Sequence, residues 1–246
     1  MSVSISPNSA PAESAPRALK VGGITPFSAL DFPGKLACVV FVQGCPWQCG
    51  YCHNPHLQPR TSGALEWDGI LALLRRRVGL IDAVVFSGGE PCIDPMLGAA
   101  IDEVRALGFQ VGLHTGGAYP ARLASVLERL DWVGLDIKAP FEDYERITGV
   151  PGSGRPAREC AEMLIKSGVK HEVRTTLHPA QLAEADILQL AGTLAQMKVR
   201  NYALQVFRPA GCASAPLNAA TTTGYPSEAL VERITPLFGQ LTLRRS

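Results

Sequence analysis

From residue 35 onward, short apolar runs alternate with stretches whose apolar residues recur every three or four positions. The short runs are rich in Val, Ile and Phe and have the length of strands buried on both faces. They predict strands at Lys35–Val42, Asp82–Ser87, Phe109–His114, Trp132–Ile137, Lys170–Thr175 and Tyr202–Phe207. The periodic stretches predict helices at Glu66–Val78, Met96–Leu107, Pro120–Leu130, Ala157–Ser167 and Ala180–Met197, with a last helix over Ser227–Phe238. Strictly alternating strands and helices imply parallel strands joined by right-handed crossovers. The expected fold class is therefore α/β, a partial (β/α)6 barrel of parallel strands with outer helices.

In that architecture the active site lies where strands end and loops begin. The chain concentrates its chemistry at those points. Strand ends read Phe86-Ser87-Gly88-Gly89-Glu90-Pro91, Leu113-His114-Thr115-Gly116-Gly117, Leu135-Asp136-Ile137-Lys138 and Glu172-Val173-Arg174-Thr175. The first strand runs straight into Gly44-Cys45-Pro46-Trp47-Gln48-Cys49-Gly50-Tyr51-Cys52-His53-Asn54, a C-x3-C-x2-C loop.

Three close thiolates suit an iron–sulfur cluster with one iron left open for a ligand. The loop has other readings. Cys49-Gly50-Tyr51-Cys52-His53 matches the attachment signature of c-type haem, and a bare C-x-x-C serves redox chemistry. Cys45, Cys49, Cys52 and His53 would suit a structural zinc site. Haem attachment needs export, and the N-terminus shows no basic segment followed by an apolar core.

Composition narrows the setting. The chain has 246 residues, of which 46% are hydrophobic and 18% charged, with a net charge of +1. Near-neutral charge gives no electrostatic case for nucleic acid. No apolar run reaches the ~18 residues of a membrane span. Seven cysteines, three of them clustered, favour metal binding in a reducing compartment, hence the cytoplasm. Residues 1–18, rich in Ser, Pro and Ala, read as a disordered tail, leaving residues 19–246 as one domain. Gly/Pro clusters at 149–156 and 209–216 read as loops.

Charge types at the strand ends suggest a ligand. Gly88 and Gly89 permit close backbone approach, and Glu90 offers a carboxylate to a cation. Asp136 and Lys138 share a strand face; the plain alternative is a surface ion pair worth ~0–1 kcal/mol. Arg174 can grip a carboxylate with its planar fork. An anionic and a cationic site beside an open iron point to an amino-acid-like zwitterion.

With these residues in place, C-x3-C-x2-C after one strand and G-G-E-P after the next, the chain resembles the radical S-adenosylmethionine (SAM) superfamily. The resemblance implies a [4Fe-4S] cluster held by Cys45, Cys49 and Cys52, with SAM chelating the open iron. It implies Tyr51 near the adenine, and Gly88, Gly89 and Glu90 supporting the methionine amino group. Thr115, Asp136, Lys138 and Arg174 complete the expected cofactor contacts.

Leu30-Asp31-Phe32-Pro33-Gly34-Lys35, Gln43-Gly44-Cys45 and Cys52-His53-Asn54-Pro55 are similar to glycyl-radical-enzyme activases, above all the branch serving anaerobic ribonucleoside-triphosphate reductase. That implies reductive cleavage of SAM to a 5′-deoxyadenosyl radical, which takes hydrogen from a partner's glycine Cα. It also implies a flavodoxin- or ferredoxin-like electron donor. The competing expectation is a radical SAM enzyme acting on a small molecule such as a deazapurine precursor. His114 stands where relatives often carry Asp, so its role is open. Cys52 to Gly88 contains no further cysteine, so one cluster is expected. Cys38, Cys92 and Cys160 read as packing residues, Cys212 is undecided, and Pro46 and Trp47 read as a lid on the loop. His53, His56 and His178 read as loop structure.

Overall fold

The computed structural model describes residues 18–245. All but one residue of the N-terminal tail predicted above lies outside them. One eight-stranded sheet runs in sequence order: β1 (Val21–Ser28), β2 (Ala37–Val42), β3 (Ala83–Gly88), β4 (Gln110–Thr115), β5 (Trp132–Asp136), β6 (His171–Leu177), β7 (Asn201–Val206) and β8 (Gln240–Arg244). β2 through β8 are parallel, and β1 lies antiparallel on β2. The six predicted strands are thus present as β2–β7. Two edge strands, β1 and β8, extend them. The sequence hides β1 because Gly22, Gly23 and Pro26 are poor strand formers. β8 is only five residues long, and the helix predicted over Ser227–Phe238 ends at Ile234 ahead of it.

Helices cover the outer face: α1 (Trp67–Arg75), α2 (Leu97–Ala106), α3 (Pro120–Val126), α4 (Tyr144–Thr148), α5 (Gly154–Ser167), α6 (Glu184–Gln196), α7 (Ala215–Ala219) and α8 (Glu228–Ile234). The Gly/Pro segment 149–156 is only half loop, since α5 begins at Gly154 and carries Pro156 in its first turn. Proline is tolerated there because the first-turn N–H groups have no intrahelical acceptor. Residues 180–183, expected to be helical, form the approach to α6, and Asp186 caps the backbone of Ala183 at 3.0 Å. Among the described residues, no helix is long and apolar enough to cross a membrane.

Alternation along each strand sorts the core into two parts. Cys38, Val40, Val42, Val84, Phe86, Val111 and Leu113 pack outward with the helices. Ala37, Val39, Ala83, Val85 and Trp132 face inward and join Phe32 from the β1–β2 turn. The rings of Phe32 and Trp132 are 5.7 Å apart and tilted, an arrangement that favours aromatic contact. Phe32 of the activase-like segment Asp31–Lys35 therefore plugs the inner core.

Above this apolar layer the inward face turns polar. Ser87, His114, Asp136 and Arg174 occupy it near the C-terminal ends of their strands. His114 Nε2 donates to the Asp31 carbonyl at 2.8 Å, and Ser87 Oγ lies 3.4 Å from Nδ1. Burial, then the nearby Arg174 guanidinium, push His114 down to about 4, so the ring is neutral at pH 7. His114 thus ties the β1–β2 turn to the sheet. Phe32→Ala should cost roughly 3–5 kcal/mol of unfolding free energy, because it opens a cavity against Trp132. Urea unfolding of the reconstituted protein measures it.

Candidate functional site

The cysteine loop hangs from the end of β2. Its stem is fixed from below by Gln43, whose side-chain amide donates to the carbonyls of His56 (3.2 Å) and Pro59 (2.6 Å). Arg60 donates to the Gln43 carbonyl and pairs with buried Asp94 at 2.7 Å. Asp94 also accepts from the backbone of Lys20 and Met96. Gln43 stands in a family-like segment, but Arg60 and Asp94 carry no motif, so residue pattern alone does not reveal this support.

The β3 strand end locks the same stem from the side. Gly89 N–H donates to Val42 O at 3.0 Å and Glu90 N–H to Gly44 O at 2.8 Å. A Cβ on Gly88, whose φ is +115°, would lie 2.5 Å from the Val42 nitrogen; one on Gly89 would lie 2.2 Å from the Gly44 oxygen. The two glycines are thus demanded first by the backbone of β2 and of the cysteine-loop stem.

Glu90 is 1% exposed. Its carboxylate accepts from Cys92 N–H (3.0 Å), Thr115 Oγ1 (2.7 Å) and Gly116 N–H (2.9 Å). No basic side chain pairs with it among the described residues. Burial raises its pKa despite those three donors. Thr115, expected to touch a cofactor, stands behind Glu90 and orients it; its hydroxyl also accepts from Gly117 N–H at 3.0 Å.

Across the site, Arg174 Nε donates to Asp136 Oδ1 at 2.8 Å, and Lys138 Nζ lies 3.8 Å from Asp136 Oδ2. Burial alone would raise Asp136, but the guanidinium and then the ammonium hold it below the usual carboxylate range. Asp136 thus pairs with its own neighbours, and the trio keeps one surplus positive charge. Lys138 also lies 5.8 Å from the rings of Trp47 and Tyr51. Trp47 is 4% exposed and meets Tyr144 edge-on at 5.8 Å, the packing role expected of it.

The outer side of the loop is held by Gln48 N–H to Thr148 O (2.8 Å) and by Cys212, whose thiol points at Gly50 O at 3.7 Å. Cys212 thereby gains a role as a strut. His53 Nε2 contacts Arg208 O at 3.0 Å and its ring stacks on Phe207, while His178 Nε2 contacts Leu217 O at 3.2 Å. Both are loop structure, as expected.

The donor set, three free thiols on one loop beside a buried carboxylate without a basic partner and a trio with one surplus positive charge, fits a cluster with a zwitterionic ligand. Burial pushes Cys45 up to about 12 and raises Cys49, so cluster loading must displace thiol protons. The Tyr51 hydroxyl is buried with no partner, an acceptor and donor awaiting one.

Residues 39–191 match the radical SAM superfamily. A protein of Methanocaldococcus jannaschii named as a glycyl-radical enzyme activating enzyme is 29% identical over 198 residues, covering 77% of this chain and 80% of that one. The pyruvate formate-lyase-activating enzyme of Clostridium pasteurianum is 33% identical over 167 residues, covering 64% and 70%. The crystal structure of QueE from Escherichia coli shares the fold at a TM-score of 0.54 and 17% identity, covering 93% and 95%.

Two outcomes follow from the geometry. Ala at Cys45, Cys49 or Cys52 should abolish iron and sulfide binding, while Cys212→Ala should leave iron content near wild type, as read by anaerobic metal analysis. Glu90→Gln should keep the cluster but weaken SAM binding roughly 10- to 150-fold, the effect of a lost charge-assisted hydrogen bond, in a SAM titration.

The loop, its double lock and the opposed charges around it are thus those of an enzyme that belongs to the radical SAM superfamily, with a [4Fe-4S] cluster and SAM as its cofactors.

Proposed function

We propose that this enzyme activates a glycyl radical enzyme, and that its partner is an anaerobic ribonucleoside-triphosphate reductase. The observation that carries the first half is similarity over most of the chain to two proteins named as activases. The second half rests on the Leu30–Lys35, Gln43–Cys45 and Cys52–Pro55 segments quoted above.

Cys45, Cys49 and Cys52 would hold the cluster. Glu90 would take the ammonium of SAM, which supplies the cation that this buried carboxylate lacks. The surplus positive charge of Asp136, Lys138 and Arg174 would face the SAM carboxylate. Tyr51, with its ring beneath Lys138 and its hydroxyl unpartnered, would flank the adenosine. Gly88 and Gly89 would act by holding Glu90 against the cysteine loop, and Thr115 by orienting its carboxylate. When bound, the reduced cluster and SAM supply a carbon-centred radical able to take hydrogen from a glycine Cα. The chain's own task is then to orient the ligand, exclude water and admit a segment of the partner. A flavodoxin- or ferredoxin-like protein would supply the electron.

Mixing anaerobically reduced enzyme, SAM and the reductase should produce the doublet of a glycine-centred radical in electron paramagnetic resonance. Robust SAM cleavage with no such signal, together with turnover of a deazapurine precursor, would move the assignment to small-molecule chemistry.

A further inference from the structure

The inward polar face is almost fully paired. Ser87 meets His114, His114 meets Asp31, and Arg174 meets Asp136. Arg244, in register with Gln205 on the next strand, reaches down the same face to grip Glu172 with two bonds of 2.9 Å and so is already paired. Gln110 has an unpartnered oxygen, but it sits at the opposite end of the barrel, where β4 begins.

The exception at the site end is the wall beside Arg174. Thr176 on β6 pairs in register with Gln205 on β7. Strand alternation puts both on the face of Arg174, because Val173, Leu177, Tyr202 and Leu204 point into the helix-side core. Both are half-buried and one residue short of the strand ends. Among the described residues neither side chain has a hydrogen-bond partner.

We propose that Thr176 and Gln205 form a subsite for the backbone of the substrate protein's glycine-bearing segment. This deepens the activase reading and rests on it. A primary amide offers an N–H donor and a carbonyl acceptor side by side, the complement of a peptide group. The Thr176 hydroxyl, one strand away, can donate or accept beside it. Glycine offers no side chain to recognise, so an enzyme that must place a glycine Cα has to read the peptide backbone. The subsite adjoins Arg174, and so lies beside the proposed SAM carboxylate site. A segment held there lies alongside the ligand and within the barrel mouth. Thr176 and Gln205 are positioning residues, since they would hold the chain and leave the hydrogen transfer to the cofactor.

The test uses reconstituted, SAM-loaded, oxidised enzyme and a fluorescent peptide carrying the radical-bearing glycine of the reductase. Gln205→Leu should weaken peptide binding about tenfold, the scale of lost buried hydrogen bonds, with SAM affinity unchanged. Gln205→Glu, which keeps size and acceptor but loses the donor, should also weaken it and guards against misfolding of the leucine variant. In peptides with single amides replaced by esters, one ester position should weaken binding to wild type but not to Gln205→Leu. A structural role for Gln205 would not produce that pairing. Wild-type peptide affinity in both Gln205 variants, or ester effects equal in wild type and variant, overturns the subsite alone. Wild-type enzyme that neither binds the peptide nor radicalises the reductase overturns the activase reading, and the subsite with it.

Discussion

The site depends on one backbone-to-backbone contact: the end of β3 pressed against the stem of the cysteine loop. Hydrogen bonds from Gly89 to Val42 and from Glu90 to Gly44 make that contact. Only residues without a Cβ permit it, because added atoms at Gly88 or Gly89 would overlap the β2 backbone and the loop stem. It fixes two chemistries relative to each other, the thiols on one side and the Glu90 carboxylate on the other. Neither element could be displaced without moving its partner.

Much of this is legible in the residues, though for differing reasons. The parallel strands announce themselves because strands buried on both faces need continuous apolar runs, as in Cys38-Val39-Val40-Phe41-Val42 of β2. β1 escapes because Gly22, Gly23 and Pro26 break such a run, and its pairing is imposed by β2. Cys45, Cys49, Cys52 and Glu90 are visible because their chemistry follows from residue type and spacing. Arg60 and Asp94 are invisible, and the task of Gln43 is too, because their work depends on carbonyls and a carboxylate far along the chain. Asp136 and Arg174 stand out as charges at strand ends, but only coordinates show that they neutralise each other first.

His114 illustrates how a departure from a family pattern can be absorbed. It is neutral, buried and bonded to Asp31 and Ser87, so it serves the join between the β1–β2 turn and the barrel. Its T-shaped contact with Trp132, 5.4 Å between centroids, extends the aromatic floor begun by Phe32. The activase-like segment and the unusual histidine are therefore two halves of one structural device.

Glu90 has a thermodynamic consequence. A carboxyl whose pKa is raised on folding binds its proton more tightly in the folded state than in the unfolded chain. The ligand-free fold therefore loses stability as pH climbs from the ordinary carboxylate value to the raised one, and carries the full penalty above it. An ammonium docked on Glu90 would remove that penalty. On the proposed reading, ligand binding and folding would then be coupled through one carboxylate.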